Sequence, residues 1–244
     1  MIVLYEKIEK IKSFFPLNKL ESESVRNFFE VKYNYNSNAI ETTFTEEEII
    51  EVLKNTIPFH VIKEHFEVIN HKKVFDLIIN LSKNKWEDIF NEKNILKIHE
   101  IILTNINDDY ARYRNMNVRI SSNDILPNYM KVQELMEEFF LFFLEEYKNI
   151  KTLEDILNYY KIHLEFVKIH PFIDNRTSRF IMNMFFLNQL EIIDVIYMKN
   201  RKEYINSISN SKNNIEYIQF MNNNFEEFLD EFLELLENKI YYKL

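Results

Sequence analysis

His170-Pro171-Phe172-Ile173-Asp174-Asn175-Arg176-Thr177-Ser178-Arg179 is the stretch on which the reading of this 244-residue chain turns. It follows an apolar helical segment, His163-Leu164-Glu165-Phe166-Val167-Lys168-Ile169. Pro171 disfavours helical geometry at the residue before it, so a helix is expected to stop at His170. Asp174 or Asn175 suits the N-cap of a following helix. Arg176 and Arg179, three residues apart, then share one face of its opening turn. Two like charges beside the positive end of a helix dipole are unfavourable unless an anion joins them.

Arginine usage sharpens the point. The chain has 23 Lys and seven Arg, so lysine serves wherever a generic cation suffices. Yet Arg176 and Arg179 lie within one turn, and Arg112, Arg114 and Arg119 crowd another segment. The planar guanidinium fork suits phosphate oxygens as lysine's point charge does not. A histidine to act as base, an aspartate for a hard cation and two arginines at a helix N-terminus suggest phosphoryl or nucleotidyl transfer. A buried histidine and a capped helix whose arginines pair with carboxylates would use the same residues, and on these residues alone both readings stay open. A zinc site built on His163 and His170 lacks a third ligand, and Pro171 interrupts the helix they would share.

Outward from this stretch the periodicity is helical. Apolar residues recur at three- and four-residue spacing over 2–15, 25–33, 49–53, 61–81, 86–106, 130–147, 153–169, 177–190 and 215–242. Thr45 with Glu48, and Thr152 with Asp155, fit capping boxes. One segment alternates instead: Arg112-Tyr113-Arg114-Asn115-Met116-Asn117-Val118-Arg119-Ile120, followed by Ser121-Ser122-Asn123-Asp124, reads as a short hairpin. The expected fold is all-α with one small β-hairpin. The amphipathic segment 222–244 reads as a surface helix capping the bundle, with a partner-binding helix as the alternative.

Composition narrows the class. Hydrophobic residues make up 46% and charged residues 28%, a globular profile. A net charge of −9 argues against nucleic acid or an anionic membrane as partner. No cysteine is present, which removes disulfides, thiolate nucleophiles and thiolate zinc sites together. Met1-Ile2-Val3-Leu4-Tyr5-Glu6-Lys7 turns charged too soon for a signal peptide, and the apolar run 139–144 is too short to span a bilayer. The expectation is a cytoplasmic protein. Glycine is absent altogether, where ordinary usage of ~7% would give on the order of 17; tight turns and helix ends lose their cheapest source of positive φ.

With these residues in view, the central stretch resembles the signature of the Fic (filamentation induced by cAMP) family, H-P-F-x-[DE]-G-N-G-R-x-x-R. Every non-glycine position is present in order, and the two glycines are closed up. Ile98-His99-Glu100-Ile101-Ile102-Leu103 is similar to the family's early core helix. Ala111-Arg112-Tyr113-Arg114 with Val118-Arg119-Ile120 resembles the segment entering its flap hairpin, and Arg201-Lys202-Glu203-Tyr204 the helix after the signature. Upstream, Ser37-Asn38-Ala39-Ile40-Glu41-Thr42 resembles the inhibitory pattern [ST]-x-x-x-E-[GN] of the class restrained by an N-terminal helix. That pattern and the position after Ala111 also lack the family's glycine.

The resemblance implies a Fic-like helical bundle with a β-hairpin flap, divided into an N-terminal helical region (1–60) carrying the inhibitory motif, a catalytic core (61–210) and a C-terminal helix packed on it (211–244). It implies a protein adenylyltransferase moving AMP from ATP to a Ser, Thr or Tyr hydroxyl of a target protein, this chain itself included. His170 would be the base, Asp174 would hold Mg²⁺, and Asn175, Arg176 and Arg179 would bind phosphate oxygens. Glu41, in the motif begun by Ser37, would pair with Arg179 where the γ-phosphate belongs. Arg112, Arg114, Val118, Arg119 and Ile120 would dock the target along a flap spanning 112–129, and Phe172 would anchor the loop in the core. A Lys between the signature Asn and Arg, usual in kinase-like relatives, is missing. The same site permits removal of AMP, with Glu41 positioning a water. Closing up two glycines predicts a loop whose N–H groups no longer wrap a phosphate, and the alternative of a different class is therefore a non-catalytic nucleotide-sensing module. Aromatic-rich helical surfaces are compatible with a homodimer.

Overall fold

From Arg176 to Phe186 the sequence is apolar on nearly every side of a helix, and such a helix must be surrounded. The computed structural model, which describes residues 2–40, 45–54, 62–107, 111–118, 126–173, 175–209 and 214–239, places it in the middle of a helical bundle. Every regular element among the described residues is a helix. In chain order they are α1 (Ile2–Lys12), α2 (Lys19–Ala39), α3 (Glu46–Leu53), α4 (Ile62–Leu81), α5 (Trp86–Ile89), α6 (Glu92–Leu103), α7 (Val132–Tyr147), α8 (Leu153–Asn158), α9 (Tyr160–Ile169), α10 (Arg176–Leu190), α11 (Arg201–Ser209) and α12 (Ile215–Glu237). The central helix α10 packs against α4, α6, α9 and α2. Around it α1 lies on α12, α12 on α11 and α9, and α7 on α9.

The caps follow from sequence. Thr45 and Glu48 bond reciprocally at the start of α3, as do Thr152 and Asp155 ahead of α8. A third box, Asn18 with Glu21, starts α2: Glu21 N–H donates to Asn18 Oδ1 at 3.0 Å and Asn18 N–H to Glu21 Oε2 at 2.9 Å. Asn18→Ala should cost about 1 kcal/mol, read as a lower urea midpoint at unchanged slope.

Two long periodic runs break. The run over 86–106 divides at Asn91, whose Oδ1 accepts from Asn94 N–H at 3.0 Å and starts α6. The run over 153–169 divides at Tyr159, whose hydroxyl donates to the Phe143 carbonyl and whose ring stacks on Phe185 at 4.1 Å. Helix α12 is a core element, burying Tyr217, Met221, Phe225, Phe228, Leu229 and Phe232. Phe228 and Phe232 meet Phe28 and Phe29 of α2 at ring separations between 4.9 and 6.2 Å.

No strand forms among the described residues, so those of the expected hairpin, 111–118 and 126–129, are not paired as strands. At Arg114 the backbone N–H is directed to the signature loop, donating to the Pro171 carbonyl at 2.8 Å. No helix among the described residues is long and apolar enough to cross a membrane.

Polar groups also thread the core. Glu30 on α2 pairs with Lys72 on α4, and Asn34 Nδ2 donates to the Val68 carbonyl at 3.1 Å. Past the end of α10, the fully buried Asp194 accepts from Tyr160 OH at 2.9 Å and Asn224 Nδ2 at 3.2 Å. Its backbone is bracketed by the Asn183 amide. Burial outweighs these bonds and raises its carboxyl to about 7.

Candidate functional site

Helix α9 ends at Ile169, and His170 follows in a left-handed conformation, φ 49° and ψ 61°. Pro171 excludes the helical basin at His170 as expected, but the backbone turns left-handed, an uncommon state without glycine. His170 is held there by its main chain. Its N–H donates to the Phe166 carbonyl at 2.9 Å, and its carbonyl accepts Arg114 Nε at 2.7 Å. The side chain is 3% exposed. Phe172 anchors the loop in the core: its ring stacks on His99 at 3.9 Å and lies 6.0 Å from Phe166.

Asn175 takes the N-cap position of α10, but its side chain makes no capping bond. Ser178 Oγ instead donates back to the Asn175 carbonyl at 2.6 Å. Ser178 is steadied by His163, whose Nε2 lies 3.1 Å from Ser178 Oγ and 3.2 Å from Tyr204 OH, while Nδ1 meets Tyr217 OH. The tautomer follows from the donor count. Ser178 commits its proton to Asn175, so toward His163 it accepts, which puts the ring proton on Nε2. Nδ1 then accepts from Tyr217. Burial, with the Arg179 charge second, pushes the His163 imidazole down to about 3, so it is neutral at ordinary pH. With both nitrogens engaged by hydroxyls, His163 is no zinc ligand.

The two signature arginines diverge from their shared turn. Arg176 Nη2 donates to Glu67 Oε1 on α4 at 3.1 Å, with both side chains nearly buried. Arg179, 1% exposed, donates through Nε to Ser37 Oγ at 3.0 Å and through Nη2 to the Ser37 carbonyl at 3.1 Å. Ser37 therefore meets Arg179, whereas Glu41 lies outside the described residues. Arg201 Nε donates to the Ile40 carbonyl at 2.8 Å. Two guanidinium groups thus sit on the last carbonyls of α2, the negative end of its dipole. His71, buried between Tyr33 and Phe180, has its imidazole held well below its ordinary value by burial and then by Arg176 and Arg179.

Beside the loop lies a cavity of about 230 Å³, lined by His99, Phe172 and Ile173 and by the cationic Lys63, Arg112, Arg114 and Arg176. Among its described lining residues there is no carboxylate. Arg112 is exposed at this wall and Val118 is half-buried. Arg114 departs from its expected target-docking role. It is 6% exposed and turned inward onto carbonyls. Arg119, Ile120 and Asp174 lie outside the described residues. Among those described, no group of three or more acidic, histidine or cysteine side chains could hold a metal. Mg²⁺ commonly takes one or two protein carboxylates with substrate phosphates and waters, so a single Asp174 in an arginine-rich loop fits that chemistry.

Sequence reasoning missed Glu67, the His163 web and the Arg201 contact. Half of residues 62–81 are polar or charged, so the sequence pattern does not single out Glu67 as buried. The hydroxyl partners of His163 come from three different helices, and no spacing shows that.

Comparison with known proteins bears on the fold that carries these residues. The Fic/DOC family model matches residues 89–186, which include Arg114, His170, Arg176 and Arg179. No sequence among the curated proteins matches the chain. Among solved structures, a Fic domain containing signaling protein from Bacteroides thetaiotaomicron superposes with a TM-score of 0.85 at 19% identity, over 97% of this chain and 98% of that one. Fic-1 (residues 134–508) from C. elegans gives 0.79 at 21% identity, over 98% of this chain and 73% of that one. A Fic family protein from Desulfovibrio desulfuricans gives 0.79 at 19% identity, over 96% and 74%. At these identities the likeness is one of fold, and it extends through α1, α2 and α12, beyond the part matched in sequence. Over residues 89–186, with His170 and both signature arginines inside that span, the chain matches the Fic/DOC family model.

Proposed function

We propose that this protein transfers AMP from ATP to a Ser, Thr or Tyr hydroxyl of a target protein, and that the C-terminal turn of α2 restrains it. The observation that carries the reading is the seating of Ser37 on Arg179. A guanidinium at a helix N-terminus is suited to an anion, and here the chain's own oxygens occupy it. In the transfer, His170 takes the proton of the target hydroxyl as its oxygen attacks the α-phosphorus. The bond from that phosphorus to the bridging oxygen breaks, and pyrophosphate leaves. Arg176 and Arg179 bind the phosphate oxygens, and to do so they must give up Glu67 and Ser37. Asp174 would hold Mg²⁺, which neutralises phosphate charge when bound. The near-complete burial of His170 fits a restrained state, since a target hydroxyl reaches the ring only when its surroundings open.

Purified wild type, Glu41→Ala and Glu41→Ala with His170→Ala should be incubated with labelled ATP and Mg²⁺. Label mainly in Glu41→Ala, and none in the double variant, is the expected result. A second reading rests on the glycine-free loop. A nucleotide sensor would bind ATP yet transfer no label in any variant, and Glu41→Ala would leave its binding unchanged. AMP removal would show instead as loss of label from a modified partner.

A further inference from the structure

Arg114 uses its planar fork on three carbonyls at once. Nε donates to His170 at 2.7 Å, Nη1 to Met116 at 3.0 Å and Nη2 to Pro127 at 2.5 Å. Its own backbone N–H adds a bond to the Pro171 carbonyl at 2.8 Å. Met116 and Pro127 stand at the two feet of segment 117–126, the middle of the expected flap. The same base is closed by Asn117, whose Oδ1 accepts Tyr129 N–H at 3.0 Å. One rigid, buried group therefore ties both feet of the flap to the carbonyl of His170. That residue has a positive φ, so its backbone position depends on such external bonds.

We propose that Arg114 is a positioning residue that couples the backbone at Met116 and Pro127 to His170, so that a target moving either carbonyl resets the placement of the base. This rests on the AMP-transfer reading for its consequence, though the coupling is a property of the fold. Guanidinium is planar, so a shift of either foot turns the plane, and the third bond carries that turn to His170. A lysine in its place keeps the charge but cannot span three fixed acceptors with a planar fork.

The test compares Arg114→Lys and Asn117→Ala, each made in the wild type and in Glu41→Ala. Asn117 is exposed and touches neither Arg114 nor His170 in the bonds above, so its loss loosens the flap base alone. In the Glu41→Ala background, Arg114→Lys should lower kcat for label transfer about 100-fold, the effect of misplacing a catalytic group by about 1 Å. The KM for ATP should move by less than about threefold, because the phosphate-binding groups are untouched. Independently of activity, the ring proton and carbon signals of His170 in an NMR spectrum at fixed pH should shift in Arg114→Lys and move the same way, by less, in Asn117→Ala. His170 signals that coincide with wild type in both variants overturn the coupling, as does a KM rise matching the fall in kcat. Should Arg114→Lys fail to fold, the Asn117→Ala spectrum decides alone. If Glu41→Ala itself transfers no label, the proposed activity falls, and the His170 signals still decide whether the flap and the histidine are linked.

Discussion

Replacing Asp194 with asparagine is expected to make this protein lose stability more steeply on acidification, and His163→Gln is expected to make the loss gentler. The signs follow from which state holds the proton. The Asp194 carboxyl lies at about 7 in the fold against an ordinary 3.8, so between those values the folded state binds the extra proton. Its contribution is complete below about pH 4 and is lost as pH rises through about 7. His163 is displaced the other way, to about 3 from 6.5. Its contribution is complete above pH 6.5 and is lost as pH falls toward 3. His71, also held down by burial and the two arginines, has the sign of His163. From pH 6.5 to about pH 4 two histidines therefore favour the unfolded chain on acidification and one aspartate opposes them. Each proton amounts to about 3 kcal/mol over that window, taken at its upper bound. Urea unfolding at several pH values should show roughly double the wild-type slope in Asp194→Asn and a nearly level curve in His163→Gln. Exposed carboxylates are common to all three proteins and cancel in the differences. Three parallel curves would mean that neither group is displaced as described.

The second large effect is expected at Glu67. Removing the acid from this buried ion pair takes the Glu67 carboxylate from Arg176, a loss that costs about 3–5 kcal/mol in buried pairs. For a chain of this size that lowers Tm by about 10 °C. Glu67→Gln keeps the shape and should show most of that loss without ligand. Nucleotide linkage then separates two roles for the pair. If Arg176 receives phosphate, wild type must first give up the Glu67 carboxylate, whereas the variant need not. Pyrophosphate or ATP should then raise the Tm of Glu67→Gln by more than that of wild type, because binding only to the folded state stabilises in proportion to affinity. An equal or smaller rise in the variant would make Glu67–Arg176 a structural pair and remove Arg176 from phosphate binding.

Much of this molecule can be read from periodicity. The helical runs and the caps at Thr45 and Thr152 are present, because local patterning and capping are decided within a few residues. The helix end at His170 is equally local, since Pro171 forces it. What escaped reading depends on distant parts of the chain. The bond from Arg114 N–H to the Pro171 carbonyl spans 57 residues of sequence, and no local pattern shows it. The divergence of Arg176 and Arg179 depends on Glu67 and Ser37 arriving from two other helices. Arg114 illustrates the limit best. Its neighbours in sequence suggest an outward, target-facing arginine, while its burial and three carbonyl partners turn it inward.

Helix α2 ends on Arg179 and Arg201, but about three turns earlier its Phe28 and Phe29 are packed against the aromatic rings of α12. The element that occupies the arginine is therefore also a beam of the bundle, and the two duties constrain what inheritance can alter. A truncation or a protease cut between Phe29 and the last turn detaches core aromatics and is expected to yield an unfolded chain, not an unrestrained one. Variants that free Arg179 and still fold are confined to the few residues from Asn36 onward, where Asn36 Oδ1 accepts from Met198 N–H, Ser37 Oγ from Arg179 Nε and the Ile40 carbonyl from Arg201 Nε. Under the restraint proposed for α2, deregulation by gross damage is closed to such an architecture, and only fine substitution at one helix terminus can reach it.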